Sequence, residues 1–243
     1  MHKRSLRRLA VPAMLAAIAV GLAAPAQAGG AGPGQGQGGK AAAEIVTGTK
    51  LEGRTAALTF DDGPNPYDTP RLLEVLKENQ VKAVFCLWGD FVKQNPELVR
   101  QIVAGGHTLC NHTMNHDNLA AWTPEAIRED LEATSALLHE VAPNVPIPYF
   151  RAPYGAWGQS PQVAADLGMQ PLGWGFTIED WETQDPDVLA ERLETRLRAN
   201  PGAVALLHDG PAMDRSGTVE AVARVIPELK AEGWRFHQPD RRG

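Results

Sequence analysis

Two adjacent carboxylates, Asp61 and Asp62, and two histidines four positions apart, His112 and His116, are the residues of this chain best suited to chemistry. Asp62 with both imidazoles would form a ligand set of one carboxylate and two nitrogens, which binds a divalent cation such as zinc and leaves a position open for water. Asp61, one residue away, is then free to act as a base toward that water. The four-residue spacing is expected to place both imidazoles on one side of a helical turn, within reach of one ion. Each pair also has a plainer reading. Aspartates before Gly63-Pro64 suit a turn, and histidines at strand ends are commonly solvated or capping groups. The two pairs together favour the metal site.

The elements that must position these groups follow from the apolar patterning. Residues 55–60 have the character of a strand that stops at Asp61-Asp-Gly-Pro-Asn-Pro66, where glycine and two prolines force a loop. Helical spacing over 71–79, with Leu72, Leu73, Val75 and Leu76 as the apolar face, precedes a strand over 81–87. A helix over 96–104 leads through Gly105-Gly106 to a strand over 107–111, and the two histidines follow directly. Further helices are predicted over 124–139, 161–167, 186–198 and 218–231, with a strand end at Tyr149-Phe150 and a strand over 203–207. This alternation predicts a parallel sheet with helices outside, open or closed into a barrel. Such folds gather reactive groups at the C-terminal ends of their strands. The aspartate pair, the histidine pair, Arg151 and His208 each follow a separate strand-like run, so one rim can collect them.

In chain order, Thr59-Phe-Asp-Asp-Gly63, His112-Thr-x-x-His116, Arg151-x-Pro-Tyr154, Asp180-Trp181 and Leu206-x-His208 resemble the five motifs of the polysaccharide deacetylases, the NodB-homology carbohydrate esterases. The resemblance spans about residues 54–208. It implies a single-domain α/β fold, a distorted (β/α)7 barrel, and metal-dependent hydrolysis of N-acetyl or O-acetyl groups on sugars. It further implies Asp62, His112 and His116 as metal ligands, Asp61 as general base and His208 as general acid. By the same likeness Arg151 positions Asp61, the backbone N–H of Tyr154 helps hold the oxyanion, and Trp181 with Leu206 lines a pocket for the acetyl methyl group. Zinc is the expected metal, with cobalt, manganese and nickel as alternatives, because this ligand set selects weakly among them.

One motif departs from the family pattern. Where Asp-x-x-Asp-Trp is usual, this chain has Thr177-Ile-Glu-Asp180-Trp181. The resemblance gives the first of those carboxylates as the partner of the acid histidine. Thr177 is therefore expected to lower the pKa of His208 and weaken its general-acid catalysis near neutral pH, unless Glu179, Asp209 or another carboxylate substitutes. His107, His139 and His237 are read as structural. Trp174 and Trp181 suit either a core or a sugar-stacking role.

Residues 1–28 have the pattern of a secretory signal peptide: a basic start, an apolar run over 9–22, and Ala26-Gln-Ala28 before a cut. That run is short for a membrane span, and nothing later is both apolar and long enough for one. Residues 29–43 are expected to be a Gly-rich flexible linker and 44–243 the catalytic domain of an exported protein, periplasmic or secreted. The chain has 23 Lys and Arg against 29 Asp and Glu; Lys3, Arg4, Arg7 and Arg8 lie in the leader, which leaves 19 against 29, a net charge of −10. That balance argues against nucleic acid as a partner. Cys86 and Cys110 are the only thiols, and a bridge or two buried free thiols are both open.

The expected substrate is an acetylated carbohydrate containing N-acetylglucosamine, such as peptidoglycan, chitin fragments or an exopolysaccharide. Competing readings are an O-acetyl xylan esterase or small-amide hydrolase on the same fold, and a non-catalytic sugar-binding protein. The presence of Asp61 and His208 argues for catalysis, because a pure binding module needs neither proton carrier.

Overall fold

A computed structural model of the chain describes residues 43–211 and 213–242. The predicted signal peptide, and all but the last residue of the predicted linker, lie outside the described residues. Strand β1 (Thr55–Asp61) is buried along its whole length. A parallel strand covered on both faces needs no polar alternation. Ala56, Leu58 and Phe60 pack into the main apolar core with residues of the surrounding helices, whereas Ala57 joins a second, inner cluster. By strand alternation Thr59 and Asp61 share that inner face.

On one side of β1 the sheet continues through β2 (Val84–Leu87), β3 (Thr108–Asn111), β4 (Tyr149–Phe150) and β5 (Gln170–Pro171). On the other side lie β7 (Val204–His208) and then β6 (Phe176–Thr177). All these pairings are parallel, and β8 (Arg235–Phe236) pairs with the start of β1. The edge strands β5 and β6 do not pair with each other. Residues 46–48 cross the seam, Val46 bridging to Leu172 and Gly48 to Ala203. The result is a curled half-barrel, the distorted (β/α)7 architecture.

The helices are α1 (Thr69–Glu78), α2 (Gly89–Gln94), α3 (Pro96–Ala104), α4 (Pro124–Val141), α5 (Ser160–Asp166), α6 (Pro186–Ala199) and α7 (Ser216–Ala231). Proline in the first turn and side-chain caps at Thr123 and Asp185 start α4 and α6, where their sequences predict. The short elements α2, β5 and β6 have no predicted counterpart, since a few residues carry too little periodicity to register. β2 begins at Val84 rather than 81 because the Val81 N–H is bonded to Leu76 O as the chain leaves α1. Among the described residues no helix is long and apolar enough to cross a membrane.

Cys86 and Cys110 are register partners on β2 and β3 and are joined by a disulfide, the alternative the sequence left open. Both are buried in the inner cluster with Val84, Tyr149 and Leu172. Cys86 is also paired with Asp61, and His112 lies two residues beyond Cys110, so the bridge ties together strands that carry the chemical residues. It closes a sequence separation of 24 residues. Replacing both cysteines with alanine is expected to lower the unfolding free energy by about 3 kcal/mol. Urea denaturation measures this, and an unchanged midpoint would show that the bridge adds nothing.

Candidate active site

Parallel register aligns the strand ends. Asp61 on β1 is level with His208 on β7, and the Arg151 N–H donates to Asn111 O at 3.0 Å, setting Arg151 beside His112. Asp62, His112 and Arg151 each lie just beyond the end of their strand, so the groups meet on one rim.

His112 and His116 do not share a helical turn. Residues 112–118 are irregular, and Thr113 and His116 adopt left-handed φ of 65° and 59° that fold the loop back on itself. Side chains stand in for the missing backbone ladder. The Thr113 N–H donates to Asn111 Oδ1 at 3.0 Å, Met114 N–H to Asp130 Oδ1 at 3.1 Å and His116 N–H to Thr113 Oγ1 at 3.0 Å. Asp62 and Tyr154 are also left-handed, with φ of 69° and 60°. Non-glycine residues seldom adopt this region, and such strain tends to gather at functional sites.

Asp62 Oδ1 lies 3.3 Å from His112 Nε2 and 3.1 Å from His116 Nε2. One donor atom from each residue falls within 4.8 Å of the others. His112 Nδ1 is 2.8 Å from Arg151 O. A carbonyl only accepts, so Nδ1 carries a proton, and Nε2 is the nitrogen that faces Asp62. Asp62 Oδ1 is buried without an aligned hydrogen-bond partner. Burial raises the Asp62 carboxyl, but the two imidazoles outweigh it and hold it well below the usual carboxylate range. For His112, burial lowers the imidazole, yet Asp61 and Asp62 together bring it above its ordinary value. These residues fit a divalent cation, by donor chemistry and by the orphaned carboxylate oxygen.

Asp61 stands beside this cluster and is engaged from behind. Arg151 Nη1 donates to Asp61 Oδ1 at 2.6 Å and to Thr59 Oγ1 at 2.9 Å. Its Nε and Nη2 donate to the carbonyls of Leu172 and Gly173, both at 2.9 Å. Arg151 is completely buried, and these bonds satisfy each guanidinium nitrogen. The other oxygen, Asp61 Oδ2, lies 3.7 Å from His112 Nε2.

His208 does have a carboxylate partner, and it is neither Glu179 nor Asp209 but Asp180. Asp180 Oδ1 is 2.7 Å from His208 Nδ1, and Asp180 Oδ2 accepts from the His208 N–H at 2.8 Å. Thr218 Oγ1 donates to the same oxygen at 3.0 Å. Thr177 is turned elsewhere and accepts the Glu179 N–H at 3.3 Å. Glu179 pairs with Arg196, and Asp209 accepts from Thr69 Oγ1 at 2.6 Å. Burial, then the charges of Asp62 and Asp61, push the Asp209 carboxyl up to about 7. Burial alone lowers the His208 imidazole, but its bond to Asp180 and the charge of Asp180 raise it above its ordinary value.

A cavity of about 420 Å³ is lined by Asp61, Asp62, His112, His116 and His208, and also by Tyr154, Trp174, Trp181 and Leu206. Trp181 is half-exposed and meets His208 edge-on at 5.5 Å; Leu206 is buried. Tyr154 is exposed, and among the described residues its N–H is bonded to no other element. The loops after Asp62 and His208 interlock. A Cβ on Gly210 would collide with the Asp62 carbonyl, and one on Gly63 with the Asp209 carboxylate. All nine residues singled out from the sequence therefore meet around this cavity, Arg151 from beneath it.

Trp88, at the end of β2, was not singled out, although the strand-end rule that located the others applies to it. Its ring stacks on His116 with centroids 4.9 Å apart and planes at 24°.

The sequence profile described as polysaccharide deacetylase matches residues 48–172. A chitooligosaccharide deacetylase of Bradyrhizobium sp. (strain ANU 289) is 36% identical over 195 residues, covering 76% of this chain and 88% of the relative. The crystal structure of a peptidoglycan N-acetylglucosamine deacetylase superposes with a TM-score of 0.72 at 32% identity, covering 79% of this chain and 89% of that one. A structure of a family pseudoenzyme from Bacillus anthracis superposes at 0.69 with 30% identity, covering 75% of this chain and 63% of that one. A fold shared with a pseudoenzyme makes the side chains at the rim, rather than the barrel, decisive for activity.

Proposed function

Because this chain belongs to the polysaccharide deacetylase family, we propose that it is a metal-dependent hydrolase that removes N-acetyl groups from a poly- or oligosaccharide containing N-acetylglucosamine. The observation that carries this is the pair of proton carriers flanking the Asp62, His112 and His116 cluster, each held by a buried charged partner: Asp61 backed by Arg151, and His208 backed by Asp180. A sugar-binding protein would have no use for two such dyads.

Asp62, His112 and His116 would hold the cation, zinc in the first instance. When bound it supplies a Lewis acid and makes a neighbouring water more acidic. Asp61 Oδ2, the oxygen not engaged by Arg151, takes the proton from the attacking water. Arg151 fixes the carboxylate's orientation through the bond to Oδ1. The Tyr154 N–H faces the oxygen that gains charge as the acetyl carbonyl becomes tetrahedral. His208 carries its acidic proton on Nε2, because Nδ1 is committed to Asp180, and delivers it to the departing amine as the carbon–nitrogen bond breaks. Acetate and a free amino sugar result. Trp181 and Leu206 offer an apolar wall to the acetyl methyl group. Residues 44–243 are the catalytic domain in this reading, and the leader at 1–28 directs export.

Acetate release from chitooligosaccharides, peptidoglycan and acetylated xylan, with and without chelator, tests the assignment. Release from the N-acetylated substrates, abolished by chelator and restored by Zn2+, is expected. No release from any N-acetylglucosamine substrate with metal supplied would overturn it.

A further inference from the structure

We propose that Trp88 is a positioning residue for His116, holding that imidazole in place for the cation by aromatic stacking. The proposal rests on Asp62, His112 and His116 being the metal ligands.

The two histidines are secured by different means. His112 is tied through Nδ1 to the Arg151 carbonyl at 2.8 Å, and its side chain is 2% exposed. His116 has no such tie: among the described residues its Nδ1 makes no hydrogen bond, and its side chain is 13% exposed. A metal-binding histidine usually donates its second ring nitrogen to a carbonyl or carboxylate, which fixes the ring's orientation. Here two aromatic rings take that place. Trp88 lies nearly parallel against the imidazole, 4.9 Å away at 24°, and Tyr154 meets it edge-on, 4.5 Å away at 69°.

Trp88 is the firmer of the two. Tyr154 is 71% exposed and stands on a short surface turn. Trp88 follows β2 directly; its N–H donates to Gly63 O at 3.1 Å, and Phe91 packs edge-on against its ring at 4.9 Å. The bond to Gly63 joins it to the loop that leaves Asp62, so Trp88 contacts one ligand by its ring and the neighbour of another by its backbone. Its indole Nε1 is buried without an acceptor. Tryptophan usually finds such a partner when buried. Nothing polar therefore sets the orientation of this indole; the ring is held by packing, with Phe91 against it edge-on and its flat face toward His116. An imidazole confined between two rings loses little rotational freedom when it binds a cation, which raises affinity by preorganisation.

The test measures Zn2+ affinity of metal-depleted protein by competition with a chromogenic chelator, in wild type, Trp88→Phe and Trp88→Leu. Leucine keeps apolar bulk but removes the aromatic plane, and is expected to weaken Zn2+ binding about tenfold. Phenylalanine restores a plane and should bind within about threefold of wild type on the same grounds. The visible spectrum of the Co2+-loaded protein should change in the leucine variant and return in the phenylalanine one. A purely packing role would instead lower the melting temperature of the metal-free protein and leave the Kd of both variants at the wild-type value, which would overturn the proposal. Should Trp88→Leu fail to fold, Trp88→Gln carries the same comparison at this half-buried position. Wild type that takes up no Zn2+ would overturn the metal site itself; wild type and Trp88→Leu binding Zn2+ equally would overturn only the role of Trp88.

Discussion

Asp61→Asn is expected to lower kcat/KM for N-acetyl hydrolysis by about 10³-fold while leaving one Zn2+ bound per chain. The substitution preserves the shape of the side chain and removes its basicity. Asp62, His112 and His116 are untouched, so metal content separates loss of the base from loss of the cation. The introduced amide would still offer its carbonyl oxygen to Arg151, whose other partners, Thr59 and the carbonyls of Leu172 and Gly173, remain. The charge of a fully buried guanidinium would however lose its counterion, so a lower melting temperature is expected as well. Rates must therefore be taken well below that temperature and normalised to bound metal. Activity within tenfold of wild type at full metal occupancy would remove Asp61 from the role of base.

The second large effect concerns the acid. Asp180→Asn is expected to cost about 10²-fold in kcat/KM at pH 8 and to move the alkaline limb of the pH profile to lower pH. The sign follows from the dyad. His208 acts in its protonated form, which is populated below its pKa. Its bond to Asp180 at 2.7 Å and the carboxylate's charge raise that pKa against the opposing effect of burial. With a neutral amide in place of the Asp180 carboxylate, the imidazole gives up its proton at lower pH, and the active fraction declines earlier as pH rises. Thr177→Asp serves as the control. Thr177 accepts the Glu179 N–H and, among the described residues, makes no hydrogen bond to His208, so its profile should match wild type. A shifted limb in Thr177→Asp, or an unshifted one in Asp180→Asn, would contradict the pairing seen in the structure.

That pairing also shows where the motifs ceased to be informative. Thr177 and Asp180 are three residues apart, and nothing in their spacing says which side chain lies beneath His208. Glu179 adopts a left-handed φ of 49°, which redirects the chain just before Asp180. Thr218, on a helix almost forty residues later, completes the arrangement by donating to the Asp180 carboxylate. The spacing of His112 and His116 misled in the same way. Four residues suggest a helical turn, but two left-handed residues and a network of side-chain bonds bring the imidazoles together without one.

By itself the sequence determined the alternation of strands and helices, the loops forced by Gly63-Pro64 and its neighbours, and the strand ends that present Asp61, Asp62, His112, Arg151 and His208. Those features depend on backbone sterics and on apolar periodicity within a few residues, which a linear pattern records. Tertiary structure alone decided that Cys86 bonds to Cys110, that Asp180 rather than Thr177 supports His208, and that Trp88 lies against His116. Each of these depends on the register between strands or on the direction of a side chain leaving a loop. A shift of one residue in either would turn the group away from its partner, and that choice is made by packing between distant segments.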